Sequence, residues 1–104
     1  MDIIVVTMFD TKNNLTFYIG VVEDNKNSVK NIRNICKSYL KHSVKHCEAV
    51  MRHNKIDYEN YSGYKERHIH ALSEIMDFKC VDDFHDLDLG GEVDMWLEYQ
   101  GMWT

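Results

Sequence analysis

At 104 residues with 44% hydrophobic and 12% aromatic content, the chain has the size of one domain and the material for a core. A charged fraction of 28% is that of an ordinary globular surface and argues against disorder. The net charge is only -5, and no apolar run approaches the roughly 20 residues of a membrane span.

The opening Met1-Asp2-Ile3-Ile4-Val5-Val6 lacks a basic n-region and a cleavage site, so it is not read as a signal peptide. Ile3 to Phe9 form a continuous β-prone run, as in a strand buried on both faces. A polar cluster from Asp10 to Asn14 follows. Leu15 to Val22 then place Leu15, Phe17, Ile19 and Val21 on one face, and the two runs predict a β-hairpin.

From Asn27 or Ser28 the period changes to that of a helix. Val29, Ile32, Ile35, Cys36, Tyr39, Leu40, Cys47, Val50 and Met51 fall on one side; Lys30, Lys37, Lys41, Lys45 and Arg52 fall opposite. Unbroken over 27–53, this helix is about 40 Å long, against a radius of gyration of about 13 Å for a domain of this size. It must therefore bend, span the molecule or protrude.

Asn54 to Ser62 reads as a polar connection. A second helix is expected from Gly63 or Tyr64 to Asp77, with His68, Ala71, Leu72, Ile75 and Met76 as its apolar stripe. Phe78 to Val81 suggest a short strand, and Gly90-Gly91 a turn. At the end Val93, Met95, Leu97 and Tyr99 alternate with Asp94, Trp96, Glu98 and Gln100, the pattern of a half-buried strand with Trp96 outward. The order β-β-α-α-β-β predicts one α+β domain over 1–104, with two helices packed on one face of a mostly antiparallel sheet.

The charges segregate along the chain. Residues 25–55 carry +7 and residues 73–104 carry -8. Such blocks point to electrostatic recognition of a macromolecule. The acidic block, Asp82, Asp83, Asp86, Asp88, Asp94 and Glu98, is set beside Trp96 and Trp103. Acids with aromatic anchors make an interface composition, with Tyr99 as a further anchor, and acids can mimic nucleic-acid charge toward a basic groove. The leading expectation is thus a small acidic cytoplasmic inhibitor or modulator that binds another protein, with nucleic-acid-binding proteins as one class of partner. Its lack of proline and its weight of Asn, Lys, Ile and Tyr match AT-rich genomes such as those of many phages.

The alternative is direct nucleic-acid binding through Lys30, Lys37, Lys41 and Lys45 on the long helix. A third reading, a metal-dependent hydrolase, rests on His42 and His46, four apart on a helix, or on Asp82, Asp86 and Asp88. The two histidines fall short of the usual three or four ligands, so no metal and no cofactor are expected. The stretch from Asp82 to Glu92 lacks the ligand spacing of a calcium loop. No nucleophile elbow or phosphate-binding glycine loop is present.

Three cysteines without framework spacing fit a reducing compartment; Cys36, Cys47 and Cys80 all read as core thiols. The opposed charge blocks also suggest a homodimer in which the basic helix of one copy meets the acidic tail of the other.

Overall fold

The computed structural model describes residues 2–10, 14–53, 58–90 and 93–101; for Asp10, Leu15, Phe17, Asp86 and 93–101 it describes the backbone alone. Strands β1 (Asp2–Asp10), β2 (Leu15–Glu23) and β3 (Val93–Gly101) form an antiparallel sheet in the order β2-β1-β3. Between β2 and β3 come helices α1 (Ser28–His53) and α2 (Tyr58–Glu74) and two 3₁₀ segments, Ile75–Asp77 and Val81–Asp86. Among the described residues, no helix is long and apolar enough to cross a membrane.

The β-prone run at the start becomes the central strand. Ile4, Val6 and Met8 are fully buried and join Ile32, Cys36 and Leu40 of α1, Ala71 of α2, Ile75, and Phe84, Leu87 and Leu89 in one core. Alternate residues Val5 and Thr7, 7% and 4% exposed, lie outside that cluster. Register sets Tyr99, Leu97 and Met95 opposite Ile4, Val6 and Met8, while Glu98, Trp96 and Asp94 stand opposite Val5, Thr7 and Phe9.

A β-bulge alters the pairing on the other side. Val6 pairs with Gly20 and Thr7 with Tyr18, which leaves Ile19 as the extra residue. The alternation of β2 flips beyond it, so Val22 is buried and Val21 is 56% exposed. Expected to share a face with Leu15, Phe17 and Ile19, Val21 is outward for this reason. Gly20 is where α1 crosses most closely, because a Cβ there would stand 2.5 Å from Ile35 Cδ1.

Helix α1 starts under local control. Asn25 Oδ1 accepts the N–H of Asn27, and Ser28 Oγ accepts that of Asn25 at 2.8 Å each. Its 26 residues run unbroken, about 39 Å at 1.5 Å per residue, in a molecule 51 × 29 × 19 Å. The conflict between helix length and domain size resolves as an elongated shape. The first half of α1 joins the core; beyond Leu40 only Cys47 is buried.

Three further expectations are corrected. Helix α2 begins at Tyr58, not near Gly63, because Tyr61 packs against His46 of α1 (centroids 6.3 Å apart, rings inclined at 68°) and the helix pair extends by a turn. Phe78 to Val81 do not form a strand. Asp83 instead accepts the N–H groups of Lys79 and Cys80 at 2.8 and 3.1 Å, turning the chain into a 3₁₀ helix. Phe78 and Phe84 meet edge-to-face there, 4.9 Å apart. Met76 is 56% exposed and Cys80 is also exposed, both outside the core to which their apolar character assigned them. The predicted turn residues Thr11 to Asn13, the connection 54–57 and Gly91 lie outside the described residues.

Candidate functional site

The acidic and basic blocks occupy different settings. In the acidic segment, Asp83 is a local cap whose carboxyl is held below its ordinary value by the N–H groups of Lys79 and Cys80. Asp88 Oδ1 accepts the N–H of Gly90 at 2.8 Å, and its Oδ2 stands 3.6 Å from Arg67 Nε. Arg67 also donates to the Asp88 carbonyl (2.8 Å) and to Glu74 Oε1 (2.8 Å), fastening the loop over α2. Gly90, at φ +83°, makes the tight turn beside it; a Cβ there would lie 3.1 Å from Arg67 Cγ. Asp82 is exposed, and among the described residues it makes no ion pair.

Of the remaining acidic candidates, Asp86 ends the second 3₁₀ segment, while Asp94, Trp96 and Glu98 occupy β3; their side chains lie outside the described residues, as does Trp103. Register nevertheless places the β3 residues. Val21, Val5 and Glu98 form one cross-strand row, and Tyr18, Thr7 and Trp96 form the next. Tyr18 is 68% exposed. Between Tyr18 and Trp96, the Thr7 hydroxyl is buried with no hydrogen-bond partner among the described residues.

The basic block differs again. Lys30, Lys37, Lys41 and Lys45 are all exposed along α1, and among the described residues none of them is in an ion pair. Glu48, the one acid of this helix, is taken by Lys65 of α2 at 3.4 Å. Arg33 is the basic residue that does structural work. Its guanidinium donates to the Ile75 and Phe78 carbonyls (2.9 and 2.6 Å), satisfying the 3₁₀ segment that follows α2.

A buried polar seam, not foreseen from the sequence, joins the two helices. His68 Nε2 donates to the Leu89 carbonyl at 2.9 Å, so the neutral ring presents Nδ1 as acceptor to the Ser43 hydroxyl at 2.7 Å. Burial pushes the His68 pKa below its ordinary value, with the carbonyl bond opposing. Burial likewise pushes the Cys47 thiol up, against a hydrogen bond to Ser43, and raises Cys36 to about 12. Both thiols are therefore held protonated and unreactive. With the ring buried and its second nitrogen tied to a main-chain carbonyl, His68 and Ser43 link α1, α2 and the Leu89 loop. The signal lay in Ser43, a polar residue on the apolar side of α1 one turn before Cys47.

His42 and His46 are exposed one turn apart, and His46 packs against Tyr61. Among the described residues no three His, Cys, Asp or Glu side chains converge as a metal site would need. An open groove of about 540 Å³ between β2 and α1 has Ile19, Ile35 and Tyr39 as its floor, with Asn34, Ser38 and His42 at its edge. Its titratable groups are Tyr39 and His42.

No protein-family model matches the chain, and no curated protein or solved structure matches it.

Proposed function

We propose that this chain is a protein-binding modulator that acts through the face of the sheet bearing Val5 and Thr7, with Trp96 as anchor and Asp94 and Glu98 as its acidic complement. The observation that carries this reading is the pair of cross-strand rows, Val21–Val5–Glu98 and Tyr18–Thr7–Trp96. Two of their members, Tyr18 and Val21, are among the most exposed apolar side chains described. Exposed apolar side chains grouped beside acids are the composition of an interaction patch. Aromatic anchors carry most of the energy of such contacts, while charges at the rim steer the approach and select a basic partner.

This reading moves the working surface away from the 3₁₀ segment. Asp83 and Asp88 are engaged in holding their own loop, so they contribute field more than contact. Affinity capture from the native lysate tests the proposal. The parent chain should retain one dominant protein, and Trp96→Ala combined with Asp94→Lys and Glu98→Lys should lose it while keeping the parent circular dichroism. Equal capture by parent and variant would refute it.

A further inference from the structure

We propose that the outward face of the α1–α2 pair is a self-association surface, on which a second copy of this chain lays its α2 parallel to the first about a two-fold axis. The inference is independent of the sheet face and concerns the helical layer.

The surface follows from helical geometry. Ile69 and Met76 are seven residues apart and fall on one line, with half-buried Leu72 between them. Tyr58, eleven residues before Ile69, continues the line. Their exposures of 47, 56 and 50% make this an apolar strip on the outside of the layer. Two contacts set how the helices align, Lys65 Nζ to Glu48 Oε1 at 3.4 Å and Ser43 Oγ to His68 Nδ1 at 2.7 Å. In this antiparallel alignment, exposed Lys41 and Lys37 of α1 run at about the levels of Leu72 and Met76. The strip thus has a row of cations along one side.

Its other side is acidic. Glu66 is exposed and lies about 60° round from Ile69 at 100° per residue, away from α1, and exposed Asp77, at the end of the 3₁₀ segment, lies further round in the same direction. Among the described residues neither is in an ion pair. A strip with lysines on one flank and acids on the other selects its occupant. A polyanion such as duplex DNA would meet Glu66 and Asp77, and an acidic helix would be repelled by them. A second copy satisfies both flanks when the two-fold axis runs parallel to α2, because that operation sets each lysine row against the partner's acid row. An axis across the helix would stack like on like. The interface is isologous and closes as a dimer. With three or four apolar residues per copy it falls in the small, transient class of contacts.

Sedimentation equilibrium from micromolar to millimolar protein, at 50 and 500 mM salt, tests this. A monomer–dimer equilibrium is expected, weaker at high salt and at least tenfold weaker in Ile69→Asp with Met76→Asp. Those positions are exposed, so the variant should keep the parent melting temperature. Charge reversal adds a specific reading. Lys37→Glu with Lys41→Glu, or Glu66→Lys with Asp77→Lys, should each abolish self-association, and an equimolar mixture of the two should restore a heterodimer. A monomer at every concentration, a dimer indifferent to Ile69 and Met76, or no pairing in the mixture would overturn the proposal. So would binding of a 20-base-pair duplex that depends on Lys37 and Lys41 but not on Ile69 and Met76, which would assign the row to nucleic acid.

Discussion

Two charged stretches that look equivalent in the sequence do different things in the fold. From Lys79 to Gly90 two acids are tied to their own loop: Asp83 caps a 3₁₀ helix, Asp88 pairs with Arg67, and Phe84 between them is fully buried. Along α1 the lysines at 30, 37, 41 and 45 stand in solvent with no ion pair among the described residues. A cluster of one sign is therefore no guide to a working surface until each charge has been assigned a partner. Carboxylates near a chain reversal find backbone N–H groups, while lysines on the outside of a long helix have nothing in reach.

The contrast can be broken by substitution, and the largest effect is expected at its buried centre. Phe84→Ala removes a ring packed on Phe78 and should cost about 3–5 kcal/mol in urea unfolding. Thr7→Val, on the opposite face of the central strand, should raise stability by about 1 kcal/mol, because it removes a buried hydroxyl that has no partner among the described residues. If that substitution is destabilising, the hydroxyl has a partner and the face is closed.

Two pH effects come next. His68 is held neutral, with its folded pKa below the ordinary 6.5, so below that pH the unfolded chain takes up the proton more readily. The stability contributed is fully present above about pH 6.5 and is lost as pH falls further. Asp83 has a depressed folded pKa, so its contribution is present above its unfolded value near 4 and is lost only as pH drops through the folded one. Denaturant melts should show the first loss in the parent chain but not in His68→Gln. Asp83→Asn should flatten the second. The smallest change is expected for Lys37→Ala and Lys41→Ala, within about 0.5 kcal/mol of the parent. A loss comparable to that at Asp83 would mean that the two stretches are alike after all.

Much of the architecture was legible in the pattern. The unbroken apolar run became the central strand, the 3.6-residue period gave α1 its limits, and Cys36 and Cys47 fell in the interior as their positions on the wheel require. What escaped depended on interactions between distant residues. The bulge at Ile19 is fixed by pairing with β1, so it leaves no mark in the alternation of β2, which groups Val21 with Phe17 although the two pair opposite Val5 and Met8. Cys80 and Val81 have strand-like character, but two N–H groups turned to Asp83 outweigh it. Helix α2 gained its first turn from ring packing across to His46. The proposed interaction surfaces are less legible than the fold. Trp96 was set apart as an outward residue, yet its neighbours in the row, Thr7 and Tyr18, come from two other strands and appear together only after pairing.

The claim that the sheet face is the working surface is tested most directly by site-specific photo-cross-linking in the native lysate, with the reactive residue placed in turn at Tyr18, Asp82 and Lys41. The account predicts an adduct with a foreign protein from position 18 and none from 82 or 41. A foreign adduct from Asp82 or Lys41, with nothing captured from Tyr18, would contradict it.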